Sequence, residues 1–258
     1  MVDLSFIKKR KAKKIIAISG GVCGAAVATL VAVALLGQQA APLTVTLTNS
    51  GASLALFKSE YDNQHKSYLL ASDPLPYAET TEPFIREHES ELDIDDSVSL
   101  QTTDGKSIEY YQYTFYLTNT GDQAADYSLS LKISYPHKSS FDLADVLRVR
   151  FYENDGNDKS SHNYRTFAKH SDQYDSTKKQ YVPERIAGTG TDYAEPFESA
   201  STILTNEVKA FAPKAVTRYT FVAWIEGEDK QATGKKPDSS IALGVDISAH
   251  EAEEKPQE

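Results

Sequence analysis

The 258 residues include one cysteine, one methionine and one tryptophan. A single cysteine excludes a disulfide framework and any zinc site built on two or more thiolates. The six histidines, His65, His88, His137, His162, His170 and His250, are scattered, and no two stand four residues apart. The HExxH layout of a zinc protease is therefore missing. There is no Gly-x-Ser-x-Gly elbow, and Gly188-Thr189-Gly190-Thr191 lacks the GK[ST] of a phosphate loop. Positive charge is the minority sign, with 27 Lys+Arg against 37 Asp+Glu and a net charge of −10. Nothing then offsets phosphate repulsion over most of the surface, which excludes a general nucleic-acid binder. An apolar share of 40% is too low for a polytopic membrane protein, and 10% aromatics is too high for a disordered chain.

The charge that is present is segregated. Residues 1–14 hold Lys8, Lys9, Arg10, Lys11, Lys13 and Lys14 against the single acid Asp3. Taking those six from 27 and one from 37 leaves 21 basic and 36 acidic residues beyond Lys14, a balance of −15. Between the two parts, residues 15–37 carry no charge at all. As a helix this run is about 34 Å long, enough to cross a hydrocarbon core of about 30 Å. The cation excess predicts a cytoplasmic stub at 1–14, a single spanning helix at 15–37 and the rest of the chain outside the cell membrane. A cut after Ala41 or after Gly37 puts Gln39 or Leu35 where a signal peptidase wants a small residue, so an uncleaved signal-anchor is expected. Cys23 lies within the span, leaving the exported part without any cysteine.

Beyond the anchor the period is two. Leu43, Val45 and Leu47 open the pattern. Tyr111, Tyr113, Phe115 and Leu117 alternate with polar or half-polar residues, then Tyr127, Leu129, Leu131, Ile133 and Tyr135 do so after Asn119-Thr120-Gly121-Asp122. Two such runs around a short Asn/Gly/Asp segment predict an antiparallel hairpin with one buried face. Leu147, Val149 and Phe151 form another strand face, opposed by Arg148, Arg150 and Tyr152. Thr217, Tyr219, Phe221, Ala223 and Ile225 form a further one, with Val222 and Trp224 on its other side as a sign of burial on both faces. Ile241, Leu243, Val245, Ile247 and Ala249 close the series. Asp142 is placed to cap a single helical turn within Phe141–Leu147. The fold class expected is mainly β: one N-terminal transmembrane helix and an antiparallel β-sandwich, jelly-roll or Ig-like.

The expected organisation is a stub at 1–14, the span at 15–37 and first strands with a charged, proline-containing spacer at 38–105. A sandwich core at 106–250 with a long polar loop at 153–190 and an acidic tail at 251–258 complete it. The pentapeptides LTNSG at Leu47–Gly51 and LTNTG at Leu117–Gly121 echo each other, as two turns of similar chemistry. Within the polar loop Glu153, Asp155 and Asp158 offer the oxygen ligands calcium prefers. The EF-hand spacing and its bidentate Glu are missing, so an acidic turn is the simpler reading. Tyr110, Tyr111, Tyr113, Tyr116 and Tyr127 read either as a sugar-stacking face or as ordinary strand aromatics. No cofactor is called for.

The segments TFYLTNTGDQAADYSLSLKI (Thr114–Ile133), DLADVLRVRFYENDG (Asp142–Gly156), RYTFVAWIEGED (Arg218–Asp229) and SSIALGVDISAHE (Ser239–Glu251) occur in this order. The order resembles that of the TasA/camelysin family of Gram-positive surface and biofilm-matrix proteins, and is nearer to its membrane-anchored relatives. The resemblance implies a jelly-roll-like sandwich in which a TFxLxNxG turn precedes an LADxLxV segment. The function expected is non-catalytic: a surface, adhesion or matrix role, with the membrane engaged through 15–37. Self-association or a surface protein or glycan would be the partner, and no nucleic acid. A carbohydrate- or calcium-binding module and a surface hydrolase are the alternatives.

Overall fold

In chain order the strands begin with β1 (Thr44–Ser50), β2 (Leu54–Phe57), β3 (Leu69–Ala71), β4 (Glu79–Thr80), β5 (Tyr111–Asn119), β6 (Ala125–His137) and β7 (Leu147–Asp155). They continue with β8 (Tyr164–Ala168), β9 (Tyr174–Asp175), β10 (Gln180–Tyr181), β11 (Glu195–Pro196), β12 (Thr202–Phe211), β13 (Val216–Glu226) and β14 (Ser240–Glu251). Among the described residues two short helices, α1 (Glu82–Glu87) and α2 (Leu143–Val146), join them. The computed structural model describes residues 43–58, 66–71, 79–87, 110–137, 142–155, 164–171, 173–186, 192–229 and 240–252. All belong to the larger of two compact units, Ala34–Glu258. The expected stub at 1–14 and span at 15–37 lie outside the described residues, among which no helix is long and apolar enough to cross a membrane.

The strands form two large sheets. One has five strands in the order β12-β6-β14-β1-β3, and the other has seven, β11-β8-β7-β13-β5-β2 with β4 at the end of β13. The inward-facing rows expected from the sequence meet in one apolar core. Val45, Leu129, Leu131 and Val245 come from the five-stranded sheet, and Leu56, Phe115, Val149 and Phe221 from the other. Each such side chain contributes about 1.5–3 kcal/mol on burial. Rings of Phe115, Phe151, Tyr219 and Phe221 pack within 5.1–6.2 Å of one another at the centre. Asp142 caps α2 as expected, its carboxylate accepting the Ala144 N–H at 3.0 Å, and Leu143, Ala144 and Val146 are buried beneath.

Three expectations are corrected. The sheets are mixed rather than purely antiparallel, because β1 runs parallel to β14, β4 to β13 and β11 to β8. Alternation specifies a buried face and carries no information about direction, and strands as far apart in sequence as β1 and β14 have a connection long enough for either. The turn after Asn119 does not close a hairpin: β5 pairs with β13 and β2, while β6 pairs with β12 and β14. It is an arch that carries the chain over the core from one sheet to the other. A hairpin and an arch bury the same alternate residues, which is why the pattern does not separate them. The polar segment 153–190 is no plain loop either, since β8, β9 and β10 lie within it.

The echoed pentapeptides form two such arches side by side. In the first, the Asn49 side-chain amide donates to Leu54 O at 3.0 Å, and Gly51 takes φ +84°. In the second, the Asn119 amide donates to Gln123 O at 2.8 Å and Phe211 O at 3.0 Å, while its carbonyl accepts the Gly121 N–H at 3.0 Å. The Thr120 N–H and hydroxyl both donate to Ser53 O, at 2.8 and 2.7 Å, and tie one arch to the other.

Candidate functional site

Polar chemistry concentrates in four places. The first is the outer face of the seven-stranded sheet, where Arg148 and Arg150 project from β7 and both are buried. The alternation sets these residues opposite the core, and α1 lies over them. Ile85 of α1 packs with Tyr110, Tyr152, Val222 and Trp224. Arg150 pairs with Glu82 of α1, donates to the Thr166 hydroxyl at 3.2 Å and sits 4.2 Å from the Tyr164 ring centre. Glu226 accepts the Trp224 indole N–H at 3.1 Å and the Glu82 N–H at 3.0 Å. Arg148 and Asp229 form a second enclosed pair at 2.8 Å. Burial pushes the Glu82 carboxyl up by more than Arg150 and Arg86 bring it down. The crevice between Glu82, Arg148, Thr166, Arg185 and Glu226 is too narrow to seat a water molecule. These charges clamp α1 and the turn after β13 onto the sheet.

The second place bridges the sheets. The Tyr127 and Tyr219 hydroxyls meet at 2.6 Å, Tyr219 donates to Glu153 at 3.0 Å, and the Asn206 amide reaches both Glu153 oxygens at 3.0 and 3.1 Å. Burial pushes Tyr127 up to about 12 and Tyr219 well above its ordinary value. Both phenols therefore hold their protons at neutral pH and act as hydrogen-bonding groups. Of the three calcium candidates, Glu153 is spent on this bridge, Asp155 ends β7, and Asp158 lies outside the described residues. Among the described residues no three His, Cys, Asp or Glu side chains are grouped to hold a metal ion.

The third is the edge of the five-stranded sheet. β12 is its terminal strand, with register shifts between Thr202 and Leu204 and between Val208 and Phe211. The Glu198 carboxylate accepts the Thr205 N–H at 2.6 Å and its hydroxyl at 2.8 Å. Near the other end Ala210 takes φ +53° and gives its N–H to Asp126 at 2.8 Å. Bulges and carboxylates of this kind blunt an edge against unwanted pairing.

The fourth is aromatic. The tyrosines considered as a sugar-stacking face, Tyr110, Tyr111, Tyr113, Tyr116 and Tyr127, are all buried, at 8% exposure or less. They are core and inter-layer residues. Among the described residues the exposed ones are Tyr68, Tyr164, Tyr174, Tyr181 and Tyr193, and four of these five fall at 164–193. No alternation marks them in the sequence. Tyr174 of β9 stands opposite Tyr181 of β10, their rings 5.3 Å apart edge to face. His170 lies flat on Tyr181 at 4.1 Å and 9°. The connecting turn is held by Asp175, whose carboxylate accepts the Thr177 and Lys178 N–H groups at 2.9 and 3.1 Å. Farther on, Arg185 pairs with Tyr193 across a backbone bridge, its guanidinium 5.5 Å from the ring centre.

No protein-family model and no curated protein matches the chain. A solved structure described as "AvmM Catalyzes Macrocyclization in Alchivemycin A Biosynthesis" is similar over 58% of this chain and 83% of its own, at 10% identity and a TM-score of 0.22. A likeness that slight carries neither fold nor function.

Proposed function

We propose that the protein is a single-pass, membrane-anchored β-sandwich of jelly-roll type, displayed outside the cell in a non-catalytic surface, adhesion or matrix role. The observation that carries the reading is the charge segregation: six cations in residues 1–14, an uncharged run at 15–37 and an ectodomain at −15. The resemblance to the TasA/camelysin family points the same way. Support also comes from how the charged side chains are used, since Arg148, Arg150, Glu82 and Glu226 serve packing inside the domain. Self-association or contact with a surface partner then falls to the exposed faces.

Protease accessibility in intact cells tests the display. A C-terminal epitope on the full chain is expected to be removed by added protease while an N-terminal epitope stays protected, and both stay with the membrane fraction before digestion. A protected C-terminus in cells that remain sealed overturns the reading.

A further inference from the structure

The two edges of the five-stranded sheet are finished differently. β12 at one edge carries register shifts and engages the Glu198 and Asp126 carboxylates. β3 at the other pairs with β1 in unbroken register, Thr44 facing Ala71 and Thr46 facing Leu69, and the Leu47 N–H donates to Tyr68 O at 2.9 Å. Leu70 is buried, while Tyr68 and Leu69 are 58% and 59% exposed. Among the described residues Leu69 is the one exposed large aliphatic side chain. Its own N–H and C=O are both taken by the Ser67 hydroxyl, at 3.2 and 2.6 Å. That leaves an apolar edge with little for a further strand to pair with. Lys58 and Lys66 are both exposed, and the bridge between Leu56 and Ser67 brings them to the same margin.

We propose that the β3 edge makes a second membrane contact, with Tyr68 and Leu69 resting in the headgroup layer of the bilayer that residues 15–37 span. This contact presupposes the anchored display proposed above. Three observations select lipid as the occupant. The tether is short: the uncharged run ends at Gly37 and β1 is entered at Leu43, six residues that reach about 20 Å when extended. Tyr68 and Leu69 stand beside Leu47 and Thr46, within about 10 Å of Thr44 along β1, so the tether lets this edge lie down on the surface it leaves. The charge suits an anionic surface. Residues 38–71 are neutral, Lys58 and Lys66 against Glu60 and Asp62, in an ectodomain at −15, and the described residues among them hold the two lysines alone. Their ammonium groups can meet anionic headgroups while the stems follow the apolar surface. The patch is also too small for a protein partner, since a stable interface buries about 800 Å² on each side. A tethered patch meets its bilayer at high effective concentration, so two side chains suffice there, and a tyrosine fits the membrane–water boundary with an apolar ring and a polar tip. The Leu69 backbone groups, already bonded to Ser67, lose nothing by leaving water.

Depth measurement by spin label tests the contact. Cys23→Ser removes the only thiol, so Lys66→Cys can carry a single nitroxide on the full chain, inserted in vesicles of phosphatidylcholine with a minor share of phosphatidylglycerol. Glu207→Cys, exposed on the β12 edge, is the control on the same sheet. The ratio of collisions with oxygen to collisions with a water-soluble nickel chelate reads depth. It is expected to be at least threefold higher at position 66 than at 207, and to fall to the control value when Tyr68→Ser and Leu69→Ser are added. Equal thermal unfolding midpoints separate loss of the contact from loss of the fold. An inserted chain whose label at 66 reads like that at 207, or keeps its depth beside the serine pair, overturns the contact and leaves the anchor intact. Mutual broadening of labels at 66 that vanishes on dilution with unlabelled chain assigns the edge to a second copy, and also overturns it. A chain that carbonate washes off the vesicles overturns the anchor, and the contact with it.

Discussion

Strands β6 and β14 of the five-stranded sheet alternate buried residues with half-buried or exposed ones, whereas β5, β7 and β13 of the seven-stranded sheet are buried at nearly every position. Their inner rows are alike and feed the same core. The difference lies outside. On the five-stranded sheet the outward row holds Ser128, Ser130, Lys132, Asp246 and Ser248, all half-buried or exposed, with Lys132 paired to Asp246. On the other sheet the outward row holds Trp224, Val222, Tyr152, Arg148 and Arg150, and it is roofed by α1. A second covered face makes the seven-stranded sheet a scaffold that carries additions, among them α1 and the β9–β10 pair that follows β8. The comparison teaches that outward positions with the same period carry very different weight, depending on what the chain lays over them.

The sharpest break of this comparison is Trp224→Ala against Ser248→Ala, two outward positions on different sheets. Trp224 is 1% exposed, and truncation is expected to cost about 3–5 kcal/mol from the lost packing and cavity, with the Glu226 carboxylate losing a donor. Ser248 is exposed, and its substitution is expected to stay within about 0.5 kcal/mol. Denaturant midpoints of the purified chain measure both. Comparable losses at the two sites would mean that the outer faces are equivalent.

Arginine and lysine at corresponding outward places sharpen it next. Arg150→Met leaves the covered Glu82 carboxylate with only the part-exposed Arg86 as a cation, for an expected loss of about 3–5 kcal/mol. Substituting Glu82→Gln as well is expected to recover most of that, since a buried pair is costly mainly when one partner is removed. Lys132 pairs with Asp246 at 2.6 Å, both 42% exposed, and Lys132→Met is expected to cost no more than about 1 kcal/mol. A double-mutant cycle on each pair reads the contrast directly.

The two arches join the sheets and differ in why they need glycine. A Cβ on Gly121 would stand 2.8 Å from the Ser53 Cβ, so Gly121→Ala is expected to cost about 1–3 kcal/mol through crowding, and Ser53→Gly in the same chain to relieve it. A Cβ on Gly51 would make only ordinary contact, 3.7 Å from the Glu251 side chain, but the residue has φ +84°, so Gly51→Ala is expected to cost about 1 kcal/mol that no neighbour substitution restores. Rescue of Gly51→Ala by trimming Glu251, which lies nearest, would show that crowding governs both arches.

Much of the inner architecture was legible because burial imposes a period of two and nothing else in the chain imitates it. Tyr219, Phe221, Ala223 and Ile225 face the core as the pattern predicts, and Val222 and Trp224 on the reverse side correctly signalled a second covered face. Pairing was not legible, since Asn119 and Gly121 suit an arch as well as a hairpin. β12 went unseen because Glu207, Lys209 and Ala210 interrupt its alternation, as an edge strand permits. The clamp on the outer face was hidden for a different reason. Charged residues opposite a buried row read as solvated, and only the placement of α1, far away in sequence, encloses Arg150 and Glu82. The exposed tyrosines at 174, 181 and 193 carried no periodic signal, because their arrangement depends on backbone bridges between short, irregular segments.

The smallest effects are those of acid titration, and the two sheets are expected to respond with opposite sign. Burial holds the Glu82 proton more tightly in the folded chain than in the unfolded one. Its contribution is therefore complete below the ordinary carboxylate value and is lost as pH rises through the raised one. Burial alone would lift Asp246 too, but hydrogen bonds from Lys132 and Thr46 outweigh it and the carboxyl sits below its ordinary value. Its contribution is present above that value and is lost as pH falls through the lowered one. Stability of the parent chain relative to Glu82→Gln should accordingly fall as pH rises above the ordinary carboxylate value, while stability relative to Asp246→Asn should rise from strongly acidic pH and then level off. Denaturant titrations at a series of pH values separate the two. Parallel curves for both variants would show that the roofed carboxylate has kept its access to water, and that the outer faces of the two sheets differ in packing but not in polarity.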